Sequence, residues 1–309
     1  MIVEFISLFI FIMKTDNIYI KPFLSIESEN HVWYKNLKFL GKGGNGTAFL
    51  VLCTSGENMG GIFTLKILHK ISDDNRIAKF QREINYMQEH PHPSIMREYD
   101  QGVWEGHPFV VMDHMTTTLE TLVQAGEIEL YDCFLYILQL LSAVKHLHST
   151  GYIHRDIKPS NIFIKDSAAI LGDYGLIKKV EVDNNNCDND TIKGYIAMPF
   201  YYRTPELVAY AKGEDNPSFE SDLFQLGLVF AYIFTRQNVL MEATIIDEPI
   251  RVKPFSIHRG KYSGKIKYAL NGMLNIDKEK RWDLDKTYKY FSKLFMEYAK
   301  DDLELNGKQ

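Results

Sequence analysis

The sequence predicts an α+β fold in two parts, a small β-rich N-terminal lobe and a larger α-helical C-terminal lobe. Three observations predict it. Residues 32–68 read as strands punctuated by glycines at 41–46 and a turn at 55–61. After Met115 the period changes: Phe134, Ile137, Leu138, Leu141, Val144 and Leu147 recur at helical spacing. Residues 222–235 are apolar nearly all round, as in a helix buried inside a larger body.

The remaining elements fill in around these. Residues 73–89 read as one helix, and 97–115 as two strands with a turn at 105–107. Residues 288–298 form a last amphipathic helix, with Phe291, Leu294, Phe295 and Tyr298 on one face. No internal repeat is visible. The expected boundaries are an apolar tail segment at 1–30, the small lobe at 31–115, the large lobe at 116–299 and a C-terminal tail at 300–309, with the lobe junction near 113–118. Residues 180–190, V-E-V-D-N-N-N-C-D-N-D, are polar and acidic with nothing to bury, so a mobile loop is expected there.

Length and composition exclude some classes. A chain of 309 residues suits one two-part domain, and 45% apolar with 24% charged residues suits an ordinary core. The net charge of -5 argues against a nucleic-acid partner, which calls for a basic surplus. Cys53, Cys133 and Cys187 are scattered and form no C-x-x-C pair, so reduced thiols and a cytoplasmic setting are expected. The first thirteen residues are very apolar but shorter than a membrane span of about 20 residues. They lack a basic start and a small-residue cleavage site, and carry Glu4. Two readings stay open: the segment packs on the domain, or translation starts at Met13. Neither calls for a membrane, and oligomeric state has no signature in the sequence.

The strongest chemical signal is His154-Arg155-Asp156-Ile157-Lys158-Pro159-Ser160-Asn161. A hydroxyl that is to attack phosphorus must be aimed, and its proton needs an acceptor; the Asp156 carboxylate suits both tasks. Lys158 can neutralise a phosphoryl group in transit. Asn161 offers a hard carbonyl oxygen to magnesium. This string resembles the catalytic loop of eukaryotic-type protein kinases, H-R-D-x-x-x-x-N.

The other parts of that family follow in order over roughly residues 35 to 295. Gly41, Gly43 and Gly46 in L-G-K-G-G-N-G-T-A resemble the Gly-rich loop, whose backbone N–H groups approach phosphates. Ala48 and Thr64 stand where the family usually has valine and alanine beside the adenine. Phe63-Thr64-Leu65-Lys66 resembles V-A-I-K, which makes Lys66 the ligand of the α- and β-phosphates. Glu83, seventeen residues on, is its expected ion-pair partner, with Glu89 as a weaker competitor. Gly172-Asp173-Tyr174-Gly175 resembles D-F-G, which makes Asp173 a magnesium ligand beside Asn161. Thr204-Pro205-Glu206 resembles A-P-E; Arg281 is the expected partner of Glu206, and Asp222 the residue that ties down the catalytic-loop backbone. Met112, Asp113 and Met115 match the hinge that holds adenine, although Met112 reads equally well as a core methionine. Phe163 completes the implied nucleotide pocket. The resemblance implies a two-lobed protein kinase fold, ATP and Mg2+, a protein substrate, and a shared triphosphate site for Asp156, Asn161, Asp173 and Lys66.

Lys158 two residues after Asp156 is the serine/threonine pattern of the family. Pro199, seven residues before Glu206, is instead the tyrosine-kinase pattern, so dual specificity stays open. Arg203 in Y-Y-R-T-P-E is similar to the proline-directed branch. Arg155 suggests a pocket for a loop phosphate on Thr191 or Tyr195, with Glu181, Asp183, Asp188 and Asp190 as unmodified alternatives. Two rival readings remain, a pseudokinase scaffold and a small-molecule kinase. The first would be favoured by degenerate motifs. The second lacks an A-P-E segment and the Asp222 and Arg281 pair.

Overall fold

The computed structural model describes residues 18–44, 46–126, 128–180, 200–216, 218–242 and 248–306. The apolar first thirteen residues with Met13, the acidic stretch 181–190 with Cys187, and Thr191, Tyr195 and Pro199 lie outside the described residues. The chain forms two compact units. One holds the described residues up to Gln88 together with Arg97–His114; the other holds Glu89–Met96 and the described residues from Met115 onward.

The first unit is a six-stranded antiparallel sheet. Its strands are β1 (Ser25–Glu27), β2 (Trp33–Lys42), β3 (Gly46–Cys53), β4 (Ile62–Leu68), β5 (Glu98–Trp104) and β6 (His107–Asp113). Their order is β1-β2-β3-β4-β6-β5. β3 and β4 alternate buried and half-buried residues at the period of two that a sheet imposes. One set of alternate residues, Phe49, Val51 and Cys53 on β3, Phe63, Leu65 and Ile67 on β4, and Phe109 and Val111 on β6, forms a single core. Irregular register in β2 between Asn36 and Lys38, and again between Phe39 and Gly41, bends that strand. The sheet curls far enough for the Glu29 N–H beyond β1 to donate to the Gln101 carbonyl on β5 at 3.0 Å.

Residues 18–30, expected to precede the lobe as a tail, are therefore built into its core. Ile20 and Ile26 are buried beside Tyr34. The Tyr34 hydroxyl donates to Asp100 Oδ2 at 3.1 Å, and Asn30 Nδ2 donates to Asp100 Oδ1 at 2.8 Å. Asn36 Nδ2 donates to the carbonyls of Ile20 (2.9 Å) and Lys21 (3.2 Å). Asn36→Ala strands two carbonyls, so it should lower unfolding stability by about 1–3 kcal/mol in urea denaturation.

Helix α1 (Asp74–Glu89) starts where Asp73 Oδ1 accepts the Asn75 N–H at 3.1 Å. Phe80, Glu83, Ile84 and Met87 form its buried stripe at i, i+3, i+4 and i+7. Its last residue, Glu89, and the residues after it to Met96 join the second unit. His92 pairs through Nε2 with Ser142 Oγ at 3.1 Å, and the Met96 N–H donates to the Leu171 carbonyl at 2.8 Å.

The second unit is mainly helical: α2 (Leu119–Ala125), α3 (Leu130–Ser149), α4 (Pro205–Lys212), α5 (Phe219–Thr235), α6 (Ser263–Met273) and α7 (Leu284–Asn306). α5 is buried without a break from Ser221 to Phe234. α7 packs on α3 through Phe295 and Tyr298 against Phe134, and on α5 through Phe291 against Phe230. It also continues to Asn306, past the end set by its apolar period at 298. The extension is polar, and Asp301 holds it down by pairing with Lys261 at 2.5 Å and accepting from the Tyr262 hydroxyl. Short strands accompany the helices. β7 (Thr117–Thr118), β9 (Ile162–Lys165) and β10 (Ala168–Leu171) form one sheet, and β8 (Tyr152–Ile153) pairs with β11 (Lys178–Lys179). Asp166 and Ser167 both have positive φ (50° and 61°), the geometry of a two-residue hairpin turn between β9 and β10.

Candidate active site

In the first unit the sheet register decides which side chains share a face. Ala48 lies opposite Lys66, and Thr64 opposite Met112. Cross-strand partners and residues two apart point the same way. Ala48, Thr64, Lys66 and Met112 therefore lie on one face, away from the core set, with Gly41 paired to Ala48 at its edge. Lys66 Nζ donates to Glu83 Oε1 at 2.7 Å and Oε2 at 3.0 Å. Glu83 is 3% exposed on the buried stripe of α1, so the lysine holds a desolvated carboxylate through charge-assisted bonds. Glu89 sits at the end of the helix with His90 at 3.9 Å.

The Gly-rich turn is closed by the Gly43 N–H donating to the Gly46 carbonyl at 2.8 Å. A Cβ on Gly46 would come within 2.5 Å of the Ile67 carbonyl oxygen, so no other residue fits there without moving backbone. Asp113 accepts from the Tyr99 hydroxyl at 3.3 Å, and its N–H donates to the Arg97 carbonyl at 3.1 Å. Met115 belongs to the second unit.

In the second unit residues 154–161 gather around Asp156. Lys158 Nζ donates to Asp156 Oδ2 at 2.9 Å, and Asn161 Nδ2 donates to the same oxygen at 2.9 Å and to the Asp156 carbonyl at 2.9 Å. Asp156 Oδ1 is buried with no hydrogen-bond partner among the described residues. The β9–β10 hairpin then carries the chain back. Its register ends at Ile162 opposite Leu171, and the Gly172 N–H donates to the Asn161 carbonyl at 2.9 Å. Asp173 follows at once, exposed and in the left-handed region (φ 59°). Phe163 packs so close to Gly172 that a Cβ there would lie 2.9 Å from its ring.

A frame of buried polar groups holds this loop. Asp222, near the start of α5, is wholly buried and accepts the N–H groups of His154 (2.8 Å) and Arg155 (2.9 Å) and the His148 ring at 2.9 Å. Those bonds support Arg155 in the left-handed region (φ 69°), a conformation that costs about 1–3 kcal/mol and persists only where its surroundings impose it. Arg155 Nε donates to the Leu176 carbonyl at 2.6 Å. Thr204 caps α4 by accepting the Leu207 N–H at 3.1 Å and shares a hydrogen bond with Ser221 on α5 at 2.8 Å. Glu206, on the first turn of α4, pairs with Arg281 at 2.8 Å, both buried.

A family model described as the protein kinase domain matches residues 34–291. The chain belongs to the protein kinase family. Among its relatives, a probable serine/threonine-protein kinase PknB of Lactococcus lactis is 29% identical over 208 residues, covering 66% of this chain and 32% of the relative. The serine/threonine-protein kinase polo of Drosophila melanogaster is 26% identical over 225 residues, covering 71% and 37%. Cyclin-dependent kinase 7 of Xenopus laevis is 26% identical over 223 residues, covering 71% and 61%. The chain thus spans between about a third and three fifths of these relatives' lengths.

The electrostatics of this kinase domain separate its buried acids. Burial raises the Asp156 carboxyl above the usual aspartate range, against the downward pull of Lys158. Burial would also raise Asp222, but the His148 bond and the Arg155 N–H outweigh it and hold that carboxyl low. Burial pushes the His154 imidazole down, which keeps it neutral; its Nδ1 then accepts the Asp156 N–H at 3.3 Å. Cys133 is a buried free thiol pushed up to about 12 by burial, and Cys53 is likewise free and buried. No helix among the described residues is long and apolar enough to cross a membrane.

Three polar partners were not foreseen. His148 holds Asp222 from the last turn of α3. Thr64 Oγ1 pairs with His114 Nδ1 at 3.1 Å, which gives the hydroxyl at this position a partner. The Tyr174 hydroxyl donates to the Leu171 carbonyl at 2.9 Å, answering the need that a tyrosine after Asp173 creates. Only the second carries a readable sign, a histidine within the hinge string M-D-H-M.

Proposed function

We propose that this chain is a protein kinase that transfers the γ-phosphoryl group of ATP, with Mg2+, to serine and threonine hydroxyls of protein substrates. One observation carries the proposal. Lys158 and Asn161 immobilise one oxygen of Asp156, while the other, Oδ1, is buried and has no partner among the described residues. A carboxylate held in this way can orient an acceptor hydroxyl and take its proton as the oxygen bonds to phosphorus. Burial raises its basicity for that step.

The other residues take roles that suit their chemistry. Lys66, oriented by Glu83, would hold the α- and β-phosphates. The backbone at Gly41, Gly43 and Gly46 would approach the phosphates. In the first unit Ala48, Thr64 and Met112, with the backbone of Asp113, would receive the adenine. Lys158 would offset charge on the phosphoryl group as it moves. Asn161 and Asp173 supply an amide and a carboxylate oxygen, tied together through the Gly172 N–H, and no cluster of three His, Cys, Asp or Glu side chains fit for a metal occurs among the described residues. That donor set suits Mg2+, which takes one or two carboxylates and completes its shell with phosphate and water oxygens. Bound there, the ion supplies charge neutralisation of the phosphates.

Lys158 and the names of the two relatives called serine/threonine-protein kinases support the acceptor class. The test is transfer of label from Mg2+ and [γ-32P]ATP to serine, threonine and tyrosine peptides. Label on serine and threonine, abolished by EDTA, is expected; label on tyrosine alone, or on no peptide, contradicts the proposal.

A pH dependence follows. The protonated carboxyl cannot accept the hydroxyl proton, so kcat/KM falls as pH drops through the Asp156 pKa. Because that pKa is raised, the acidic limb should lie above the ordinary aspartate value of about 4. Lys158→Ala removes a group that lowers the pKa, so the limb of its residual activity should move further up.

A further inference from the structure

Gln225 was not singled out by any motif, yet its side chain touches the backbone on both sides of Asp156. It is wholly buried in α5, one turn after Asp222 on the same face. The Ile157 N–H donates to its Oε1 at 2.9 Å. Its Nε2 donates to the Arg155 carbonyl at 3.1 Å and to the Tyr202 carbonyl at 2.9 Å. One acceptor thus faces one N–H, and two donor hydrogens face two carbonyls, so only one orientation of the amide satisfies all three neighbours.

The placement matters because of which peptide groups are held. The Arg155 carbonyl belongs to the peptide plane before Asp156, and the Ile157 N–H to the plane after it. Pinning both planes fixes φ and ψ of Asp156 and so the direction of its side chain. Asp222 holds the two preceding N–H groups, His154 Nδ1 accepts the Asp156 N–H and Asn161 Nδ2 donates to the Asp156 carbonyl, while Gln225 is the side chain that bonds both planes at once. The third bond reaches Tyr202, in the turn Phe200–Tyr202 that leads through Arg203 to Thr204 and α4.

We propose that Gln225 is a positioning residue that aims the Asp156 carboxylate and ties it to the 200–204 turn through a single amide. The role rests on the kinase reading, whereas the clamp itself does not. An amide is required. A glutamate keeps the acceptor for the Ile157 N–H but turns lone pairs toward the Arg155 and Tyr202 carbonyls. A methionine fills similar volume and makes none of the three bonds.

The experiment compares wild type, Q225M, Q225E and V229A. Val229 is a buried apolar residue of the same helix, so V229A reports loss of packing alone. Hydrogen exchange is measured on peptides covering 154–158 and 200–204, and kcat and KM for ATP are measured with a serine peptide. Q225M should speed exchange in both segments. Q225E should speed it in 200–204 and retain more protection at 154–158. Both should lower kcat by about tenfold to a hundredfold, the scale of a misaimed reacting group, with KM for ATP within about twofold. V229A should lower the melting temperature, keep kcat within about twofold of wild type and leave exchange in the two segments unchanged. Wild-type exchange in either segment of Q225M, or wild-type kcat in Q225M or Q225E, overturns the proposal. Absence of phosphoryl transfer in wild type overturns the kinase reading and the positioning role with it, while the exchange data still decide the clamp.

Discussion

Asp156→Ala should lower kcat for peptide phosphorylation by at least about a hundredfold, close to 3 kcal/mol of barrier, while the affinity for Mg-ATP stays within about twofold. The large loss follows from what the alanine removes. The carboxylate is the group that would take the hydroxyl proton, and its Oδ2 gathers Lys158 and Asn161. The small effect on nucleotide affinity follows from the proposal that Lys66, held by Glu83 in the first unit, and not Asp156, binds the phosphates. Steady-state kinetics and calorimetric titration of each variant with Mg-ATP separate the two quantities. A parallel loss of ATP affinity would mean that Asp156 acts chiefly in holding the metal-bound nucleotide.

Arg281→Ala should lower unfolding stability by about 3–5 kcal/mol, the range for stripping one partner from a buried ion pair. The guanidinium pairs with Glu206 at 2.8 Å and donates to the carbonyls of Asn275 (2.9 Å), Glu220 (2.7 Å) and Ile276 (3.3 Å). Its plane also lies over Phe224, 4.9 Å from the ring centre. Truncation leaves a buried carboxylate and three carbonyls short of donors. Glu206→Ala should cost less, because Arg281 keeps its carbonyl partners. The double variant should cost less than the sum of the two. Denaturant titrations of the three variants measure this, and strict additivity would show that the pair is not coupled.

How much of this was legible follows from what kind of signal each part sends. The 154–161 string was legible because five residue types at set spacing have little freedom to arise otherwise. α5 was legible because an all-apolar helix has few places to go. Pairing of Glu206 with Arg281 was reached only through resemblance, since seventy-five positions separate them and no local period links them. The docking of residues 18–30 was hidden because β1 is three residues long with Ile26 its one apolar residue, and Ile18 and Ile20 lie outside any strand. The extension of α7 to Asn306 was hidden because a polar helix end has no hydrophobic period, and Asp301 holds it through Lys261 and Tyr262 instead. Residues 89–96 run on from the end of α1 in sequence yet pack with the second unit, a fact decided by long-range bonds such as Met96 to Leu171. Gln225 did leave a trace, a lone amide in S-D-L-F-Q-L-G one turn from Asp222, but its three backbone partners are visible only in the fold.

The most direct measurement is phosphosite mapping by mass spectrometry of one protein substrate treated with Mg-ATP and either wild-type chain or the Asp156→Ala variant. Phosphoserine and phosphothreonine with wild type and almost none with the variant are the expected results. Phosphate transferred equally by both, or by neither, contradicts the account.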